Sequence, residues 1–459
     1  MKRNWFVVIA LLMATGIEYP AWSQEQDKEK AATTATAQPI RPLANDFVTV
    51  YESPDPQHVF PRSPGIARLD SGRLVACFDL GGPGMKAWPA PKGIRYGNPV
   101  QTKVYTSDDG GKTWTHRTDA PFMMARPFAA GKAIYLLGLA GDLMIIRSDD
   151  GGETWSAPFR LTDGEDWTQA PCNVHYANGC VYLVMNKRPY PRKSWPVSIE
   201  APVLMRGKLS DDLTKRENWT FATTLVFRDI VTPAQLDWFG VPFFESLFDK
   251  STFPAPGRAM APIGWLETHV VQFTDPDHLW HDPAGKTFQL WSRGHTGGTG
   301  YAAIAKVVEQ GDSPGTGEMI TQLQKVPSGK TMLYVPCPGG QMKFHVLYDE
   351  ATKLYWLLST QATDSMIRPD RLPADRYSLP DNERRRLQLH FSKNMIDWCF
   401  AGLVAAGPVE QASRHYASMA IDGDDLVVLS RSGDARAKTA HDGNLITFHR
   451  VRDFRGLVY

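Results

Sequence analysis

Short apolar runs alternate with Gly, Asp and Asn turns along almost the whole chain. Examples are Leu74-Val75-Ala76-Cys77-Phe78, Ala133-Ile134-Tyr135-Leu136-Leu137 and Cys180-Val181-Tyr182-Leu183-Val184. Later runs are Leu354-Tyr355-Trp356-Leu357-Leu358 and Leu426-Val427-Val428-Leu429. Long stretches with helical spacing are scarce. This rhythm predicts an all-β protein of many short strands, a sandwich, barrel or propeller. Two segments break it: residues 228–262, with Trp238, Phe239, Phe243 and Phe244, and residues 361–384, rich in Pro, Asp and Arg. Long loops on a rigid scaffold often carry function, although either segment also reads as a plain solvent loop.

The turns add a repeat. Ser107-Asp108-Asp109-Gly110-Gly111-Lys112-Thr113-Trp114 recurs as Ser148-Asp149-Asp150-Gly151-Gly152-Glu153-Thr154-Trp155. Ser and Asp side chains can bond turn amides, the glycines permit positive φ, and the Trp can plug between neighbouring sheets. Degenerate copies run from Ser210-Asp211-Asp212 to Trp219 and from Ser392 to Trp398. The pattern S-D-D-G-G-x-T-W resembles the Asp box, or BNR repeat, of sialidase-like propellers, where it serves the fold rather than the chemistry. Counting repeats gives six blades, near 60–120, 125–165, 170–225, 262–310, 330–400 and 412–450. The fold expected is therefore a six-bladed, sialidase-like β-propeller with long loop insertions. The strand Phe47-Val48-Thr49-Val50-Tyr51 is expected to pair with the last blade and close the ring, which removes exposed sheet edges.

The N-terminus changes the cellular picture. Lys2 and Arg3 precede an apolar run from Trp5 to Met13 and the polar stretch Ser23-Gln24-Glu25. That is the layout of a cleaved secretory signal, and the run is short for a membrane span. The sequence thus divides into a signal peptide (1–23), a disordered linker (24–42) and one propeller domain (43–459), secreted or periplasmic and without a membrane span. A formal net charge of +1 argues against nucleic acid as the main partner. The five cysteines show no paired metal spacing; Cys172 and Cys180 read equally as a hairpin bridge or as buried thiols. The oligomeric state is left open.

Candidate chemistry comes from four segments. Phe60-Pro61-Arg62-Ser63-Pro64-Gly65-Ile66 resembles the F-R-I-P segment of exo-sialidases, whose Arg binds the substrate carboxylate. Leu266-Glu267-Thr268-His269 and Trp291-Ser292-Arg293 resemble that family's Glu strand and second Arg strand. Arg384-Arg385-Arg386 precedes a later strand, where the family has its third Arg; Arg385 is the one chosen. Arg414-His415-Tyr416-Ala417-Ser418-Met419 resembles the Y-S-S-L segment that holds the nucleophile. The resemblance implies an exported exo-glycosidase that removes a terminal acidic sugar, sialic acid or a related ulosonic or uronic acid, with retention. Tyr416 would be the nucleophile and Glu267 its base, with Asp275 or Asp277 as alternatives for Glu267. Arg62, Arg293 and Arg385 would clamp the carboxylate of the glycan substrate. The residue types suit the task. Arginines fix a carboxylate by charge-assisted, often bidentate bonds, and a neutral Tyr avoids the repulsion that a carboxylate nucleophile would meet. No cofactor or metal is implied.

One departure stands out. The family's acid/base Asp lies in a loop of blade one, and residues 81–98 here contain no Asp or Glu; Lys86, Lys92 and Arg95 make the loop basic. Asp79, just upstream, is a poor positional match. Two other readings therefore stay open: a polysaccharide lyase on a propeller scaffold, and a non-catalytic glycan-binding propeller that has lost its acid. His269, His278, His281 and His295 match no metal-ligand spacing, and Gly294 to Gly300 lacks the ending of a phosphate loop. Lys343 and His345 alternate with apolar residues and are expected to share one strand face, where they could line a central cavity.

Overall fold

The apolar runs are continuous rather than alternating because both faces of each sheet are covered. The second strand of blade one, Leu74–Gly81, is buried at every position. Leu74, Ala76, Phe78 and Leu80 pack with Val427, Leu429, Ile446 and Phe448 of the last blade, whereas Val75 and Cys77 pack with Ala125, Ile134 and Leu136 of the second. The same division repeats around the ring. Tyr135 and Leu137 meet Val181 and Leu183; Tyr182 and Val184 meet Trp265 and Leu290; Trp291 and Ile304 meet Tyr355 and Leu357; Trp356 and Leu358 meet Met419, Leu426 and Val428. Period-2 geometry thus sends odd and even residues of one strand into two different inter-blade cores.

The computed structural model describes residues 40–89, 93–95, 98–193, 195–232, 241, 247–372 and 383–459. Its strands form six antiparallel blades with innermost strands Phe60–Arg68, Met123–Ala130, His175–Ala177 together with Trp167–Thr168, Gly264–Val271, His345–Asp349 and Arg414–Asp422. Val48–Glu52 adds the outer strand of the last blade, with Val48 opposite Phe448, as the sequence predicts. Residues 1–39, where the export signal and most of the linker are expected, lie outside the described residues. Among the described residues no helix is long and apolar enough to cross a membrane.

Both box turns have the same wiring. The Ser107 hydroxyl accepts the Gly111 N–H at 2.9 Å, and the Ser148 hydroxyl accepts that of Gly152 at 2.8 Å. Each third-position Asp accepts the Thr amide and hydroxyl, and each Trp indole donates to a Gly carbonyl at 3.1 Å. Trp114 also meets Phe448 edge-on at 5.4 Å, so the first blade's turn packs against the blade that closes the ring. All five cysteines are free thiols; Cys180 sits in a sheet and Cys172 at the central axis, so the hairpin bridge does not form.

Antiparallel order assigns every loop to one of two faces. The box turns follow third strands and lie at one end. The described parts of the loop after Leu74–Gly81 and of both long insertions, and the 433–444 loop, lie at the other, where the inner strands begin. Part of the first insertion forms a hairpin, Thr252–Ala255 with Arg258–Met260; Arg258 donates to the Leu372 carbonyl at 3.1 Å and Met260 packs on Leu372, so the two insertions meet. Trp238, Phe239, Phe243 and Phe244 lie outside the described residues.

Candidate active site

Four inner strands carry the same irregularity at the same end. Their registers slip between Arg62 and Gly65, Met123 and Arg126, Leu266 and His269, and His415 and Ser418. Each slip holds a non-glycine residue at positive φ: Ser63 at 47°, Met124 at 53°, Glu267 at 54° and Tyr416 at 51°. Such a bulge re-aims one side chain out of the pleat. Each left-handed residue costs on the order of 1–3 kcal/mol and persists where surrounding structure enforces it. Two of the four are the residues singled out in the sequence as nucleophile and base.

Tyr416, Glu267 and Arg293 meet there. Arg293 Nη1 donates to the Tyr416 hydroxyl at 2.9 Å and to Glu267 Oε2 at 3.1 Å, and its Nε donates to the Gln341 carbonyl at 2.6 Å. Burial, then the neighbouring Glu267 charge, pushes the Tyr416 phenol up to about 12, against the opposing pull of Arg293 and Arg384. The phenol is thus neutral at physiological pH, and it shares Arg293 Nη1 with the carboxylate that can take its proton.

Two more guanidiniums stand over the tyrosine ring. Arg384 and Arg431 lie 5.5 and 5.6 Å from its centroid. Arg384 donates to His415 Nδ1 at 2.8 Å; His415 is buried and held well below the ordinary imidazole value by burial and then by Arg384 and Arg431, so it accepts. Arg62 completes the group and donates to Asp442 at 3.0 Å. Burial, with Arg62 and Arg384 close by, lowers Arg431 to about 9. Mutual repulsion of this kind is relieved by an anion.

The structure brings Arg62, Arg293, Glu267 and Tyr416 together, and it leaves Arg385 out. Arg385 turns away and donates to the carbonyls of Gly407 and Pro408, at 2.7 and 2.9 Å, so its neighbour Arg384 is the arginine at the tyrosine. Asp275 and Asp277 line a surface hollow with Lys393 and Asn394, after the far end of their inner strand. Asp79 is completely buried beneath Arg62, accepts the Met124 amide at 3.1 Å, and is pushed up by burial. Arg431 and the pair His441–Asp442 have no counterpart among the sequence candidates.

Lys343 is buried below the site, not on a strand, and donates to the Ala417 carbonyl and to Ser418 Oγ. Burial lowers it to about 8. His345 does line a cavity, of about 300 Å³, at the other end of the central channel. The four histidines weighed as metal ligands disperse: His269 stacks on Phe344, His278 on Phe273, His281 bonds the Phe273 carbonyl and His295 is buried in its strand. Among the described residues no group of three His, Cys, Asp or Glu side chains is placed to hold a metal ion.

No family model and no curated protein matches the chain. Solved structures do. A structure described as a Hadza microbial sialidase superposes with a TM-score of 0.52 at 14% identity, over 90% of this chain and 69% of the other. A protein of unknown function from Dyadobacter fermentans superposes with a TM-score of 0.50 at 12% identity, over 90% and 98%. At such identities the likeness concerns the fold. The blades, the ring closure and these superpositions agree: the chain folds as a sialidase-like six-bladed β-propeller.

Proposed function

We propose that the protein is an exo-glycosidase that releases a terminal carboxylate-bearing sugar from glycans with retention, as the sialidase-like fold suggests. The observation that carries this reading is the Tyr416 hydroxyl, held at 2.9 Å by the same Arg293 nitrogen that holds buried Glu267 at 3.1 Å. Arg62, Arg293 and Arg384 bind the sugar carboxylate by charge-assisted bonds. Tyr416 attacks the anomeric carbon while Glu267 accepts its proton. The phenol brings no negative charge toward the substrate carboxylate, which is the advantage of Tyr over Asp or Glu at this position. The arginines favour the anionic ground state and also the phenolate that forms when the glycosyl–tyrosine bond breaks again. The charge of the site fits an acidic sugar and leaves its identity, sialic or another ulosonic or uronic acid, to experiment.

The test is incubation of the mature protein with a library of acidic glycans, followed by mass spectrometry and ultraviolet absorbance. The reading expects a monosaccharide of intact mass that is lost in Tyr416→Phe. An unsaturated sugar would replace it with a lyase, and binding without any product would replace it with a glycan-binding propeller.

A further inference from the structure

A retaining glycosidase needs a group that protonates the leaving oxygen and later deprotonates water. The blade-one loop 81–98 offers no carboxylate. The 433–444 loop of the last blade lies at the same end of the ring and carries His441 and Asp442. Asp442 Oδ1 lies 2.9 Å from His441 Nδ1 and 3.0 Å from Arg62 Nη2. Arg431, whose guanidinium stands over the Tyr416 ring, donates to the His441 carbonyl and has Nη2 3.3 Å from His441 Nδ1. The imidazole is part of the arginine cluster around the nucleophile, and 30% of its side chain is open to solvent.

Resting on the glycosidase reading above, we propose that His441, oriented by Asp442, is the acid/base group of this site. Two neighbouring carboxylates among the described residues, Asp442 and Asp79, fail on protonation or access. Burial favours the neutral form of Asp442, but the hydrogen bond with His441 and the charges of Arg62 and Arg431 outweigh it and keep this carboxyl ionised. Asp79 is buried behind Arg62. With Asp442 on Nδ1, Nε2 is the nitrogen that exchanges protons. The groups facing His441 are Arg62, Arg384, Arg431, His415 and Asp442; burial and then Arg431 and Arg384 hold its imidazole neutral. A substrate carboxylate seated on the arginines cancels that field, and the imidazole gains a proton as substrate binds. In the first step Tyr416 Oη bonds to the anomeric carbon as the glycosidic C–O bond breaks, Glu267 takes the phenol proton and imidazolium His441 gives its proton to the leaving oxygen. In the second, neutral His441 takes a proton from the attacking water, the tyrosyl C–O bond breaks and Glu267 returns its proton to the phenolate.

The experiment compares the wild type, His441→Gln and Asp442→Asn on aryl α-glycosides of N-acetylneuraminic acid with leaving groups of graded acidity. His441→Gln is expected to lose roughly 10²–10⁴-fold in kcat/KM on the least acidic leaving group and little on the most acidic one. Added azide should restore its turnover of the activated substrate. Asp442→Asn removes the negative partner and should move the alkaline limb of the kcat profile toward lower pH. An equal loss by His441→Gln on every leaving group, or an alkaline limb unmoved in Asp442→Asn, would overturn the assignment of His441 and leave the glycosidase reading intact. A wild type inert on these glycosides and on every acidic glycan would overturn the glycosidase reading itself, and His441 with it.

Discussion

Replacing Glu267 by Gln separates the electrostatics of the site from its shape. Gln keeps the volume of the side chain and an oxygen for Arg293, and removes one buried negative charge. Tyr416 is raised from 10.0 to about 12. Two pKa units correspond to about 2.7 kcal/mol in favour of the neutral phenol. Burial is the largest contribution, Glu267 the next, and Arg293 and Arg384 oppose both. Unit charges about 4 Å apart at an effective dielectric constant near 20 interact by about 4 kcal/mol. Loss of the Glu267 charge should therefore lower the Tyr416 pKa by at least one unit, because the arginines then act against burial alone. The assay is the tyrosinate absorbance on alkaline titration, taken as the difference between each protein and its Tyr416→Phe counterpart. Glu267→Gln should show one tyrosine ionising earlier than in the wild type. Its kcat should fall by roughly 10²–10⁴ with the loss of the base. Glu267→Ala should also destabilise the fold by about 3–5 kcal/mol, since it strips a buried arginine of its carboxylate. Superimposable difference titrations of the wild type and Glu267→Gln would refute the coupling of this carboxylate to this phenol.

Other outcomes follow from single contacts. Arg384→Met should raise KM for an acidic sugar by roughly ten- to a hundredfold, the equivalent of one charged hydrogen bond of about 1.5–3 kcal/mol, whereas Arg385→Met, whose guanidinium holds only the Gly407 and Pro408 carbonyls, should leave KM unchanged. Gly111 has φ +88° and a β-carbon there would meet the Phe448 ring at 2.2 Å; Gly423 has φ +64° and open space. Gly423→Ala should cost about 1–2 kcal/mol of backbone strain, and Gly111→Ala about 1–3 kcal/mol more for overpacking, as read by chemical denaturation; equal losses would refute the role of that turn in closing the ring. Lys343, lowered from 10.5 to about 8 by burial, opposes folding most below about pH 8, where both states hold its proton, and progressively less as the folded chain sheds it. Wild-type stability should thus rise relative to Lys343→Met between pH 8 and 10.5, by about 3 kcal/mol at the limit of 1.36 kcal/mol per unit, and parallel stability profiles would contradict it.

The blades were legible because each buries both faces of its sheets, which leaves apolar runs such as Val181 to Met185, and because the box turns need Ser, Asp, Gly and Trp at fixed offsets. Tyr416, Glu267 and Arg62 were legible because they lie on inner strands with recognisable neighbours, and Arg293 because it lies on the strand paired with the one that carries Glu267. Arg384 was not separable from Arg385. Both precede the strand Arg386–Ser392, and their directions are set by carbonyls at 407 and 408 and by His415, partners distant in sequence. Arg431 lies on a second strand, opposite His415 in register, where an arginine reads as an outlier in an apolar run. His441 and Asp442 sit in a loop that reaches back to Arg62, nearly the length of the chain away. The one available hint was the absence of any carboxylate from 81 to 98, which called for an acid elsewhere. The bulges at Ser63, Met124, Glu267 and Tyr416 were illegible as well, since each breaks the period of two on which the strand reading depends.

The most direct test of the central claim is rapid quenching of the protein with an acidic glycan that it turns over, followed by peptide mapping by mass spectrometry. The account predicts a peptide containing Tyr416 that is heavier by one acidic sugar residue, absent in Tyr416→Phe, and a released sugar of retained anomeric configuration. Turnover with no adduct on Tyr416, accompanied by an inverted or unsaturated product, would contradict it.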